Sequence, residues 1–364
     1  MSTTKAIHAK VLLPNSQCGG AMNSQAFGTW QAKKGEVYTA VKNAIACGYR
    51  TIDCAKIYRN QDEIGVAIQE CITEGVCSRS DLFIISKVWN TDHAPEAVAA
   101  STKRTIADLQ CGYLDLLLIH WPTPWAHPAG GVDDFTDEAL LPKTKFVVEG
   151  KEVEGFVATA TAAEQITSNI ATYKAMERLV GSGLVKDIGL SNFNESEVQA
   201  ILDVCTIKPA ALQIELHPAL PQEAMRAFCQ KAGIVIMSYC PLGGDVNCGM
   251  LLHNADLQAL ARKAYGAGDE ENGVSLCAKM LLQWNSQIGC ICLSKSVTPS
   301  RIAANAAVPF GGLDAETMDA IKAWGQIEGN QLRVCSPSFR PGGATAFPDA
   351  AQIGVLVRKA QLAV

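Results

Sequence analysis

Short apolar runs alternate with stretches of helical periodicity along most of the chain. The runs at Tyr49–Asp53, Leu82–Val88, Leu114–Ile119, Val185–Gly189, Ala211–Ile214, Ile234–Ser238 and Gly289–Leu293 are mostly apolar at successive positions. That is the mark of parallel strands covered on both faces. Between them the pattern predicts helices over Gly35–Cys47, Asp62–Gly75, Pro95–Leu109, Glu164–Val180, Glu195–Asp203, Pro221–Ala232, Asp256–Lys263 and Thr298–Ala306. A further strand around Gln25–Thr29 is needed before the first helix. The resulting series of strand-then-helix units predicts an α/β fold, the (β/α)8 TIM barrel. A doubly wound open sheet would carry a Gly-rich fingerprint after its first strand, and none is present. Gly181-Ser-Gly183 follows a helix and lacks the third glycine.

Two segments fall outside the repeat. The loop at 121–163 contains Pro, Gly, acidic residues and a candidate hairpin around Phe146–Val157. It follows the fourth strand, so it rises from the C-terminal face, where barrels of this kind build their sites. The C-terminal tail at 329–364 contains Pro337, Pro341 and Pro348 before an apolar end. No boundary marks a second domain, and residues 1–364 read as one barrel with these two extensions.

Composition narrows the function classes. The 364 residues are 48% hydrophobic and 18% charged, with a formal net charge of −5. That charge gives no electrostatic reason to expect nucleic acid or an anionic membrane as partner. No apolar run approaches the ~20 residues of a membrane helix. The first ten residues have lysines but no apolar stretch behind them, so a secretory signal is not expected. The 14 cysteines are mostly single, several within apolar stretches, and read as reduced, cytoplasmic small hydrophobes. Their spacing from the six histidines does not suit zinc, and no metal is expected.

Four polar residues lie at or just beyond strand ends. Asp53 ends Tyr49-Arg-Thr-Ile-Asp53, Tyr58 follows in Asp53-Cys-Ala-Lys-Ile-Tyr58, Lys87 ends Leu82-Phe-Ile-Ile-Ser-Lys87, and His120 closes Leu114-Asp-Leu-Leu-Leu-Ile-His120. A buried ammonium needs a partner, and Asp53 from the neighbouring strand is the natural one for Lys87. An ammonium near a phenol favours the phenolate, so Lys87 is expected to lower the Tyr58 pKa from about 10 towards a useful range for a general acid. His120 would then orient a carbonyl oxygen. No side chain donates hydride, so the reductant must be a cofactor. Each residue has a plainer reading: packing for a lone Tyr, a barrel ion pair for Asp and Lys, structure as readily as function for His. The four together, from the second, third and fourth strands, would meet on one rim.

At this point the sequence resembles the aldo-keto reductase superfamily, in particular its aldose and aldehyde reductase branch. The resemblance rests on Gly48-Tyr-Arg-Thr-Ile-Asp-Cys-Ala-Lys-Ile-Tyr58, Arg59-Asn-Gln-Asp-Glu-Ile-Gly65, Ile85-Ser-Lys-Val-Trp89 and Leu118-Ile-His-Trp-Pro122. It continues through Gly189-Leu-Ser-Asn-Phe193, Ala211-Leu-Gln-Ile-Glu215, Ser238-Tyr-Cys-Pro-Leu242 and Ser294-Lys-Ser-Val-Thr298. The resemblance implies Tyr58 as proton donor, Lys87 and Asp53 as its tuning pair and His120 as the orienting residue. It also implies an NADPH/NADP+ cofactor extended across the barrel mouth without a Rossmann fold. Ser191, Asn192 and Gln213 would hold the nicotinamide carboxamide, Tyr239 would stack on the ring, and Thr29 and Asp53 would lie near the ribose and nicotinamide. Leu242, in Pro241-Leu242-Gly243, belongs to the loop over the pyrophosphate.

The segment Lys295-Ser-Val-Thr-Pro-Ser-Arg301 also has a physical reading. Thr298 is placed to cap a helix whose first residue is Pro299. Helix N-termini attract phosphate, and Lys295, Ser296 and Arg301 flank this one, which suits the 2′-phosphate of NADPH. The family's next turn often has Glu then Asn; here Ala304 replaces the Glu and Asn305 is kept. Trp30, Trp89 and Trp121 match the pocket tryptophans of the family, beside His120. The loop at 121–163, the tail beyond Arg333 and the hairpin region Val11 to Ser24 depart from the family pattern. Aromatic and aliphatic aldehydes, open-chain sugars and prostaglandin-like ketones all remain open as small-molecule carbonyl substrates. The competing readings are an NADPH-binding sensor that turns over slowly and a metal-dependent barrel hydrolase, and the resemblance leans towards a monomer or weak oligomer.

Overall fold

The computed structural model describes residues 9–125, 131–133, 136, 140–141, 143–148, 151–156, 162–244 and 250–335. The predicted strands form as β3 (Gln25–Gly28), β4 (Thr51–Asp53), β5 (Phe83–Val88), β6 (Leu114–Ile119), β9 (Val185–Ser191), β10 (Ala211–Glu215), β11 (Val235–Tyr239) and β12 (Ile291–Ser294). They close into one barrel in the order β3-β4-β5-β6-β9-β10-β11-β12. Every ladder is parallel, including the closing pair, in which Cys292 faces Gln25. Most strands end later, or begin later, than the apolar runs that predicted them. Most of the added residues at the mouth are polar or aromatic, among them Ser191, Glu215, Tyr239 and Ser294. A hydrogen-bonded ladder continues where hydrophobicity stops, because the mouth is where side chains serve a site.

Alternation divides the core in two. Leu116 and Leu118 join Ala26, Ile85, Ala211, Met237 and Ile291 in the lumen cluster. Leu117 and Ile119 point the other way, into the apolar layer shared with the helices. Both faces are therefore buried, which is why these strands read as continuous apolar runs. Close packing also explains a motif glycine: a Cβ on Gly189 would run into the carbonyl oxygen of Ala211 on the next strand and approach Leu118 Cδ2 at 2.9 Å.

The N-terminal hairpin pairs β1 (Lys10–Leu12) with β2 (Ala21–Asn23). Its Leu13 and Met22 enter the lumen cluster and so stopper the end of the barrel away from the site. The loop between them is tied to β9 through Asp187, whose carboxylate accepts Ser16 Oγ at 2.7 Å and Gln17 N at 2.8 Å. At the other end, β7 (Lys143–Val148) and β8 (Lys151–Phe156) form an antiparallel hairpin that starts earlier than predicted. The remainder of the 121–163 loop outside the stated residues, and tail residues 336–364, lie beyond the described chain.

Helices occupy Glu36–Ala46, Gln61–Thr73, Pro95–Asp108, Ala162–Gly181, Glu195–Leu202, Glu223–Ala232, Ala255–Tyr265 and Pro299–Ala306, close to the predicted spans. Two more were not predicted, Gly273–Gln287 and Ala315–Gln326. Both carry caps that the sequence contains: Asn272 accepts from Val274 N and Ser275 N, and Asp314 accepts from Thr317 N. The expected cap at Thr298 is correct in position, with Pro299 first in the helix, but the hydroxyl of Thr298 makes no capping bond. Instead its backbone N–H donates to Ser296 Oγ at 3.1 Å. After the last helix the chain returns to the barrel mouth. Leu332 N donates to Ala219 O, and the fully buried Glu215 carboxylate accepts Val334 N at 2.6 Å and Cys335 N at 2.7 Å. Among the described residues, no helix is long and apolar enough to cross a membrane.

Candidate active site

Strands β4, β5 and β6 are neighbours, so residues at their C-terminal ends share one rim. Asp53 is the last residue of β4, Lys87 the next to last of β5, and His120 directly follows β6. Beyond β4 a single 3-10 turn, Lys56–Tyr58, presents Tyr58 to the same rim. Lys87 Nζ donates to Asp53 Oδ1 and Oδ2 at 2.9 Å each, to Cys54 O at 2.8 Å, and reaches Tyr58 Oη at 3.4 Å. Asp53 also accepts Gln213 Nε2 at 2.8 Å from across the barrel. Both charges are almost fully buried, and their multiple partners offset the desolvation that an isolated buried charge would suffer.

His120 is boxed by rings. The edge of Trp89 lies 5.1 Å away at 69°, Tyr58 lies 5.9 Å away at 81°, and Trp121 stacks at 6.5 Å. Burial, then the Lys87 charge, pushes the His120 pKa well below its ordinary value. The imidazole is therefore neutral and holds one N–H to donate. Its Nδ1 is buried with no hydrogen-bond partner among the described residues. Tyr58 departs from the sequence expectation. Burial, followed by the Asp53 carboxylate, holds its phenol well above the ordinary value. Burial and the Asp53 carboxylate outweigh the Lys87 charge, so the net shift is upward. Tyr58 keeps its proton.

These groups stand at one end of a cavity of about 870 Å³. Its walls contain Thr29, Trp30, Asp53, Tyr58, Trp89, His120, Trp121, Ser191, Asn192, Gln213, Tyr239, Leu242, Lys295, Ser296, Arg301 and Asn305, which the sequence singled out. Lys87 stands behind this surface, reached through Tyr58 and Asp53. Thr29 Oγ1 donates to Asp53 O at 2.7 Å. Asn192 is already engaged: Nδ2 donates to His120 O at 2.9 Å and to Ser191 Oγ at 3.1 Å, while Oδ1 accepts Tyr239 Oη at 2.7 Å. Lys295 Nζ reaches Gln31 O at 3.5 Å, and Arg301 stands exposed beside it on the helix Pro299–Ala306.

Most of the residues missed come from the atypical segments. Leu140, Leu141 and Trp125 pack with Trp89 and Trp121, and Leu140 O accepts Trp89 Nε1 at 2.7 Å. The apolar pair Leu140-Leu141 in a polar loop was the available signal. Cys335, held there by Glu215, also lines the cavity, and burial, then Glu215, pushes its thiol up to about 12. Lys279 joins the basic end from the unpredicted helix Gly273–Gln287.

A barrel closed by eight parallel strands, with this constellation on its rim, is matched over residues 19–325 by the model of the Aldo/keto reductase family. The chain belongs to that family. Aldo-keto reductase family 1 member A1 of Gallus gallus is 39% identical over 301 residues, covering 81% of this chain and 83% of that protein. The Homo sapiens protein of the same name is 40% identical over 303 residues, covering 81% and 84%. An aldose reductase from Giardia Lamblia superposes with a TM-score of 0.72 at 34% identity, covering 89% of this chain and 97% of the other. One from Schistosoma japonicum gives 0.69 at 36% identity, covering 85% and 90%. This aldo-keto reductase is accordingly an oxidoreductase acting on carbonyl and alcohol groups, in a family that uses a nicotinamide cofactor. The residues present fit such a group. The cavity joins a cationic end, Lys295, Arg301 and Lys279, to an end where a neutral imidazole with an unpartnered buried nitrogen meets a protonated phenol.

Proposed function

We propose that this chain reduces aldehydes or ketones to alcohols with NADPH, using Tyr58 as general acid, Lys87 and Asp53 as its supporting pair and His120 as the orienting donor. The observation that carries the reading is the joining, within one cavity, of the Tyr58–His120 rim and the Lys295–Arg301 end. NADPH would supply the hydride. Gln213, whose Nε2 is taken by Asp53, retains Oε1 to accept from a carboxamide, and Ser191 retains hydroxyl capacity beside it. Lys295, Ser296 and Arg301 would hold the 2′-phosphate with charge-assisted bonds, next to the first turn of the helix Pro299–Ala306.

The chain's own chemistry follows from the two shifted groups. A carbonyl oxygen lodged between Tyr58 and His120 meets two neutral donors, and both remain neutral across the physiological range. As negative charge grows on that oxygen, Tyr58 gives up its proton. The phenolate that forms lies 3.4 Å from the Lys87 ammonium, which stabilises it, while Asp53 keeps the ammonium in place. Trp30, Trp89 and Trp121 provide an apolar wall that favours a substrate with an aromatic or aliphatic body. A cytoplasmic location remains part of the proposal, supported by the free thiols of Cys54, Cys71, Cys77 and Cys111 in the core.

The test is oxidation of NADPH, followed by absorbance, with aromatic and aliphatic aldehydes and an aldose, and with NADH in parallel. Turnover that favours NADPH is expected. Tight NADPH binding without reduction of any carbonyl would overturn the assignment in favour of a nucleotide-binding protein.

A further inference from the structure

A second buried ion pair stands outside the groups assigned above. Lys56 opens the 3-10 turn that Tyr58 closes, and its ammonium donates to Asp92 Oδ2 at 2.9 Å and Oδ1 at 3.2 Å. Lys56 is 2% exposed and Asp92 is 0% exposed. The carboxylate also accepts Ser101 Oγ at 2.6 Å and Thr91 Oγ1 at 3.3 Å. Asp92 ends the short turn Asn90–Asp92 that directly follows Trp89, the ring packed edge-on against His120. The pair thus joins the segment bearing the proposed acid to the segment bearing the wall of its pocket.

The turn needs such a tie. It is one turn long, and Arg59, at φ 55° in the left-handed region, closes it. At its upstream side Cys54 O receives Lys87 Nζ, and at its downstream side Asn60 Nδ2 donates to Thr29 O at 3.0 Å. Lys56 holds the stretch between these two anchors. A buried ion pair is a poor choice where only stability is wanted, because apolar side chains of similar volume often serve as well or better. Its directional bonds instead specify one arrangement of two loops.

We propose that Lys56 and Asp92 are positioning residues that set the height of Tyr58 above Lys87 and beside His120. The proposal rests on Tyr58 being the proton donor. A tyrosine hydroxyl displaced by about 1 Å can cost on the order of 100-fold in the chemical step without weakening substrate capture in proportion.

The experiment compares Lys56→Met/Asp92→Leu, which removes both charges and leaves neither orphaned, with Lys56→Arg, Asp92→Glu and Tyr58→Phe. For the double variant, kcat is expected to fall about 10- to 100-fold, with KM for the carbonyl and the NADPH dissociation constant, read by fluorescence, within about two-fold of wild type. The crystal structure of that variant should show a Tyr58 Oη to Lys87 Nζ separation different from 3.4 Å. The conservative variants, which keep the ion pair with altered reach, should recover part of kcat. Unchanged kcat in the folded double variant overturns the proposal, as does a parallel loss of kcat and NADPH binding, the result of general loosening. Should the double variant not fold, the conservative variants decide: a kcat loss at constant KM supports the clamp, and wild-type kcat in both overturns it. If Tyr58→Phe itself retains wild-type turnover, the acid assignment fails, whatever the clamp variants do.

Discussion

At the axis of the barrel Asp53, Lys87 and His120 are buried and bound to one another or boxed by rings, whereas at the other end of the cavity Arg301, Ser300 and Ala304 are exposed and Lys295, Ser296 and Asn305 are half-buried. The first end is assembled from three adjacent strands and a turn, and the hydrogen bonds of its Asp53–Lys87 pair are already made within the protein. The second is assembled from one strand end and the first turns of a helix, with side chains that stand partly or wholly in water. Charges at the buried end act through a low local dielectric and cost little reorganisation when the reaction occurs. Charges at the exposed end act through water and are screened by salt beyond about a Debye length. Under the proposed function, the contrast separates what determines rate from what determines cofactor choice.

The largest effect should come from the buried end. Replacing Tyr58 by Phe keeps the ring and its packing on His120 but removes the proton, and kcat is expected to fall on the order of 1000-fold. NADPH binding, followed by quenching of tryptophan fluorescence, should survive; a matching loss of binding would mean that the two ends are not separable.

At the exposed end, Arg301→Ala should weaken NADPH about 10-fold and NADH far less, since a charge-assisted bond to a phosphate is lost at a solvated position. Equal losses for the two cofactors, measured by titration, would remove the 2′-phosphate from this place. Raising ionic strength from about 0.05 to about 0.5 M should likewise weaken NADPH several-fold while leaving kcat at saturating cofactor near its starting value. A kcat that fell with salt would contradict the shielding of the inner pair.

Smaller still is Ala304→Glu. This position lines the basic end, and a carboxylate there should change cofactor affinity by about two-fold, near the size of other exposed polar changes. The weakest response should be to pH. The His120 pKa is lowered, so acidification towards about pH 6 does not charge it; the Tyr58 pKa is raised, so alkalinisation towards about pH 9 does not strip its proton. Within that window kcat should vary by less than about two-fold. A limb near pH 6.5 that disappears in His120→Asn would show the imidazole titrating where burial is held to prevent it.

The buried end was the more legible of the two. Asp53, Lys87 and His120 end apolar runs, so they announce themselves as polar exceptions in segments that must be covered on both faces. Parallel strands in chain order then place them on one rim with no further information. The two unpredicted helices were hidden for different reasons. In Gly273–Gln287 nine positions are buried, so the polar stripe that marks a surface helix is thin, although Asn272 at its start was a readable cap. Ala315–Gln326 follows the last strand-helix unit and was not needed by the repeat, although Asp314 and Thr317 form a recognisable start. Neither the pairing of Lys56 with Asp92 nor that of Glu215 with the backbone of Val334 and Cys335 has a local signature, because each joins segments that only the closed barrel brings together.

By itself the sequence determined the barrel, the rim on which the four polar residues meet and the helix start flanked by Lys295 and Arg301, because periodicity, chain order and capping are local or nearly local properties. Tertiary structure alone decided the protonation of Tyr58. A nearby ammonium and burial oppose each other, and their balance depends on how completely Asp53 neutralises Lys87 and how tightly Trp89 and its neighbours exclude water. Distances of a few ångströms between residues far apart in the chain set those quantities, and no local pattern encodes them.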